Sequence, residues 1–150
     1  MVVGVIFQAE GSHDNILGQV MHLYHCRTQM FLGKFGLYPG QPRLLFILWK
    51  EDGRSQRELV EKLKVSPATV TVMLNRMERS GFLERRSDHK DLRISRVFLT
   101  DKGKEVRQQV EEIFQNVERE CFNGFAEEEI VLFRQMLIKI RNNFVNSSKK

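Results

Sequence analysis

Thr71 and Asn75 stand four residues apart, and Ala68 and Val72 share their helical stripe. A hydroxyl and an amide exchange hydrogen bonds with base edges, while Ala and Val can lie against a thymine methyl, so the stripe has the chemistry of major-groove readout. Ser66 and Thr69 open the same segment, where hydroxyls and helix N–H groups suit a phosphate oxygen. Arg76 flanks the stripe and suits another phosphate. Further along lies Asp88-His89-Lys90-Asp91-Leu92-Arg93. An Arg at such a tip suits the negative potential of a minor groove, which makes Arg93 the strongest contact there. Lys90, Arg85 and Arg86 suit the sugar-phosphate backbone. Asp88 and Asp91 would repel DNA if free, so we read them as braces, through turn hydrogen bonds and an ion pair with Arg93 or a neighbour. The plainer alternative is a solvated polar stripe and a solvated charged hairpin.

The flanking residues supply the elements such a surface needs. Ser55-Gln56-Arg57-Glu58 is a capping box, and the helix it starts turns Leu59, Val60 and Leu63 inward. Lys64-Val65 is a turn. Ser66-Pro67 then gives an N-cap and a proline at the first helical position. The second helix turns Val70, Met73, Leu74 and Met77 inward, opposite the polar stripe, and Gly81 allows a left-handed stop. Ser95, Val97 and Leu99 alternate with Ile94, Arg96 and Phe98, a strand period, opposite a strand at Leu83 to Ser87. A helix pair followed by a charged hairpin is a winged helix-turn-helix.

Helical zones flank this lobe. His13 to Phe35 carries Ile16, Val20, Leu23, Tyr24, Met30 and Phe31 at helical spacing, and Gly36 to Gly40 breaks it. Gln41 to Glu51 is apolar on most sides and reads as central. A long helix is expected from Thr100 to about Phe125, with a seam of Val106, Val110, Ile113, Phe114, Val117, Cys121, Phe122 and Phe125. A last helix follows Gly124, opens on Glu127-Glu128-Glu129 and is expected to bury Ile130, Phe133, Met136, Leu137, Ile140 and Phe144. The fold class is mainly α. Residues 1–150 form a single domain, with a winged-helix lobe at 41–103 and dimerisation helices at 13–36 and 104–146. A second copy would cover the apolar terminal helices, so a homodimer is expected.

Charge singles out the same lobe. The net charge is +5, and residues 54–107 carry 14 Lys/Arg against 8 Asp/Glu. Residues 1–53 balance at four of each sign, and residues 108–150 carry six basic and seven acidic groups. A local surplus of one sign fits a polyanionic partner.

The order of elements resembles the multiple antibiotic resistance regulator (MarR) family over roughly residues 13–146. The resemblance rests on Ser66-Pro67-Ala68-Thr69-Val70-Thr71, Leu74-Asn75-Arg76-Met77-Glu78, Gly81-Phe82-Leu83, and Asp88 to Arg93 followed by Leu99-Thr100-Asp101-Lys102-Gly103. It implies a homodimeric winged-helix protein that binds double-stranded DNA at a pseudo-palindrome, usually as a repressor, and that a small molecule or other effector releases. The residues name no effector site. Lys90 stands where the family often has Arg, which keeps the charge and loses the planar fork. Ala126 stands where Ser or Thr often caps the last helix.

Other chemistries find less support. His22 and Cys26 have the i, i+4 spacing of shared metal ligands, with His25 close by, but no spacing identifies further ligands, so no metal site is assigned. Cys121 reads as a small core residue. No P-loop, G-x-S-x-G, H-E-x-x-H or Gly-rich dinucleotide turn occurs, so neither an enzyme nor a cofactor is expected. No run of about 18 apolar residues suggests a membrane span. Residues 1–12 read as an extra N-terminal arm rather than a signal peptide. Two cysteines suggest no disulfide framework, and a cytoplasmic location is expected. A different class remains open at this stage: a winged-helix protein-interaction module with no DNA role.

Overall fold

The computed structural model describes residues 16–147. The expected helix start at His13 and the N-terminal arm lie outside the described residues. Two compact units divide at Gln115/Asn116.

The first unit opens with α1 (Ile16–Leu32), which ends in a 3-10 turn at Gly33–Phe35. α2 (Gln41–Lys50) carries Pro42 at its start and buries Leu44, Leu45 and Leu48. β1 (Arg54–Ser55), α3 (Gln56–Leu63), α4 (Pro67–Arg79), β2 (Leu83–Ser87) and β3 (Ser95–Leu99) follow. Local chemistry sets these boundaries. The Ser55 hydroxyl accepts from the Glu58 N–H at 3.3 Å, and the Glu58 carboxylate accepts from the Ser55 N–H at 2.8 Å. Both halves of the capping box are therefore made. Ser66 accepts from the Thr69 N–H at 3.1 Å and starts α4. Between the helices, Lys64 takes a left-handed conformation (φ 55°), a position glycine usually fills. Gly81 (φ 75°) stops α4 as the Phe82 N–H reaches the Met77 carbonyl at 3.0 Å.

The sheet order is β1-β3-β2, antiparallel throughout. Leu83 pairs with Leu99, Arg85 with Val97 and Ser87 with Ser95. β1 was not expected: two residues are too few to show an alternation, and only pairing with β3 makes them a strand. The core joins Leu37, Leu44, Leu45 and Leu48 to Leu59, Leu63, Val70, Leu74 and Met77, closed by Phe82, Leu83, Val97 and Leu99. Each large side chain so buried contributes about 1.5–3 kcal/mol of transfer free energy. Met73 lies only half-buried at its edge.

The long helix expected from Thr100 is two helices, α5 (Asp101–Glu105) and α6 (Arg107–Cys121). The Trp49 indole N–H donates to the Gly103 carbonyl at 2.8 Å, the group a continuous helix would offer to the Arg107 N–H. α6 stops at Cys121, short of Phe125, and Gly124 (φ 85°) turns the chain. Along the seam Val106, Val110, Ile113 and Val117 are buried, but Cys121 and Phe125 are exposed.

The second unit holds the end of α6 and α7 (Glu127–Ser147). Phe122 packs edge-on against Phe125 and Phe133 at 5.7 and 5.6 Å. In place of a hydroxyl cap, the Glu129 carboxylate accepts from the Ala126 N–H at 2.8 Å. The expected burial on α7 does not occur in the single chain. Phe133 is 38% exposed, Met136 49% and Phe144 69%, and Leu137, Ile140 and the half-exposed Ile130 are likewise not buried.

Candidate nucleic-acid interface

The face of α4 opposite Val70, Leu74 and Met77 presents Ala68, Thr69, Val72, Arg76 and Arg79 to solvent, with Thr71 and Asn75 half-buried among them. Ser66 shares a 2.8 Å hydrogen bond with the Thr69 hydroxyl at the head of the helix. Two stripe residues are more committed than their spacing suggests. The Thr71 hydroxyl donates back to the Pro67 carbonyl at 2.9 Å and accepts from the Gln56 amide at 2.7 Å. It thus ties α3 to α4. The Asn75 carbonyl oxygen accepts from the Arg85 guanidinium at 2.8 Å.

Arg85 itself turns inward. Its Nε donates to Glu78 at 3.1 Å, its backbone N–H donates to the other Glu78 oxygen at 3.2 Å, and its side chain is 29% exposed. Arg85 holds the Glu78 carboxyl below the usual carboxylate range. Arg86 pairs with Glu84 and lies over the Phe98 ring, 4.9 Å from its centroid.

In the wing, Asp88 accepts from the Lys90 N–H at 2.7 Å and the Asp91 N–H at 3.0 Å, and Asp91 accepts from the Arg93 N–H at 3.0 Å. Both acids therefore form turn hydrogen bonds. The ion pair of Asp88 goes to Arg96, not to Arg93. Arg96 and the two N–H donors bring the Asp88 carboxyl down to about 2. Arg96 also donates to the Gly53 carbonyl at 3.0 Å and lies 3.8 Å from Glu58, so one side chain joins the wing to the start of α3. Glu58 is itself held below the usual range, first by the Ser55 N–H. Gln56, Glu78 and Arg96 are functional supports that pattern reading missed. A polar side chain at the first position of α3 and an Arg inside a strand read as surface until the chain returns beside them.

The cations that remain are on the outer surface. Arg76, Arg79, Lys90 and Arg93 are exposed, and none makes a side-chain bond among the described residues. On α1, the Cys26 sulfur and His22 Nε2 lie 3.5 Å apart, and both residues are exposed. Among the described residues no group of three or more His, Cys, Asp or Glu could hold a metal ion, and no helix is long and apolar enough to cross a membrane.

Two capped helices, an outward polar stripe on the second and a braced three-stranded wing define a winged helix-turn-helix protein. The model of the MarR family matches residues 37–95. The uncharacterized HTH-type transcriptional regulator YdgJ of Bacillus subtilis is 32% identical over 111 residues, 74% of this chain and 68% of that protein. The HTH-type transcriptional regulator TtmR of Methylorubrum extorquens is 42% identical over 67 residues, 45% of this chain. The match spans 34% of TtmR's length. A MarR protein from Peptoclostridium difficile superposes with a TM-score of 0.78 at 26% identity, covering 93% of each chain. The chain belongs to the MarR family and is a transcriptional regulator of the DNA-binding winged-helix type.

Proposed function

We propose that this protein binds double-stranded DNA sequence-specifically as a homodimer and acts as a repressor at a pseudo-palindromic operator, with α4 in the major groove and the wing at the minor groove. Release by a small-molecule effector would follow from the family resemblance. One observation carries the DNA reading. Arg54, Arg85 and Arg96 are spent on ion pairs that hold the lobe together, while Arg76, Lys90 and Arg93 are exposed and make no side-chain bond among the described residues. Ser66 and Thr69 suit a phosphate at the head of α4, Ala68 and Val72 suit thymine methyls, and Asn75 suits a base edge. Thr71 then acts by fixing the helix pair, and Arg86 remains a backbone contact. Asp88 and Asp91 set the shape of the tip that carries Lys90 and Arg93.

A duplex selected from a random pool, titrated beside a scrambled duplex at several salt concentrations, tests this. Arg76, Lys90 and Arg93 in each of two subunits would neutralise about six phosphates, so log K should fall against log salt with a slope of roughly −5. The selected duplex should stay tightly bound at physiological salt while the scrambled one does not. Equal affinity for both at every salt would leave only non-specific binding, and no binding at all would favour a protein-interaction module.

A further inference from the structure

We infer that Arg85 decides which base Asn75 prefers, by fixing the Asn75 amide with its oxygen toward the guanidinium and its N–H groups open; the inference rests on the DNA reading proposed above. A guanidinium has five donors and no acceptor. The amide atom facing Arg85 at 2.8 Å must therefore be the Asn75 oxygen. Arg85 has little freedom to give way. It sits in the middle of β2, in register with Val97, and its side chain and backbone N–H both bind the Glu78 carboxylate. The Asn75 nitrogen makes no hydrogen bond among the described residues, which leaves both of its N–H groups open.

That polarity selects among base edges. An unconstrained Asn pairs with adenine by giving its oxygen to N6–H2 and its N–H to N7. Here one lone pair of the oxygen already faces Arg85, and a base donor brought to the other would lie beside a fixed guanidinium cation, so the better matched edge is one with two acceptors. Guanine N7 and O6 provide it, whereas adenine sets a donor against a donor. Guanine should therefore be preferred over adenine at the contacted position, by about fivefold or more. Arg85 is a positioning residue in this scheme: it touches Asn75 and Glu78 rather than the DNA.

Selection from a random duplex pool, run in parallel on the wild type and three variants, tests the scheme. The contacted position is the one where Asn75→Ala levels base preference. The wild type should enrich guanine there. Arg85→Met frees the oxygen and should move that position toward adenine, with the rest of the motif unchanged. Asn75→Asp keeps a partner for Arg85 but presents only acceptors, and should move the position toward cytosine, whose N4 donates. This second variant leaves the Arg85–Glu78 pair in place, so it decides the matter should Arg85→Met not fold. Adenine in the wild-type motif, or an unchanged guanine preference in either folded variant, would overturn the inference while leaving the DNA reading intact. A wild type that enriches no sequence would overturn both.

Discussion

Arg93 and Arg96 lie three residues apart on the same hairpin and do opposite things. Arg96 spends its charge on Asp88, Glu58 and a carbonyl, while Arg93 keeps its guanidinium exposed. Replacing Arg93 with Ala should weaken binding to a selected duplex by about 1–3 kcal/mol. Fluorescence anisotropy on labelled DNA reads this directly, and an unchanged Kd would remove Arg93 from the interface. The brace titrates separately. The Asp88 carboxyl sits at about 2 in the fold against an ordinary 3.8. A lowered value means the bonded carboxylate stabilises the fold above the ordinary value and loses that contribution as pH falls through the folded one. Stability should therefore fall between about pH 4 and pH 2, and Asp88→Asn should flatten that part of the profile. Thermal melts across the window, compared between the two proteins, check it. The wing should keep its shape throughout the neutral range.

Among the elements, α5 sits closely against the turn that leads into β2. A Cβ on Gly103 would lie 2.0 Å from the Phe82 carbonyl oxygen, a backbone atom that cannot swing aside. The same glycine's carbonyl takes the Trp49 indole N–H, so α2, α5 and the turn that leads into β2 meet at one residue that must have no side chain. Gly103→Ala should cost about 1–3 kcal/mol, the usual range for overpacking. At this chain length that lowers Tm by several degrees. An unchanged Tm would show that the helix can shift without loss. The Leu99-Thr100-Asp101-Lys102-Gly103 run was legible as a cap. The need for glycine within it was not, because the obstructing atom is 21 residues away in the chain.

For the whole molecule, the apolar surface argues for a second copy. On α1, Ile16, Met21 and Leu23 are each more than 60% exposed, and α7 has no buried residue. Faces of that kind are rare on monomers and are usually covered by a partner. Sedimentation equilibrium at micromolar concentration should return about twice the 17.7 kDa chain mass. A clean monomer would contradict the dimer and also the two half-sites, about one helical turn apart, that a two-fold pair requires.

The helix pair, its caps, the glycine stop and the hairpin were written in the sequence because each depends on residues within a few positions of one another. Ser55 with Glu58, Ser66 with Thr69, and Asp88 with its two following N–H groups need no distant partner to form. The charge surplus was equally plain, since counting needs no geometry. Tertiary structure alone settled how the polar side chains are spent: Thr71 on Gln56, Arg85 on Glu78 and Asn75, Asp88 on Arg96 rather than Arg93. It also added β1, split the long helix at Val106 and left α7 without a buried residue. Periodicity says which face of an element is apolar, and local pairing says where it starts. Which donor meets which acceptor depends on where the chain returns, and a hydrogen bond is lost within an ångström of misplacement.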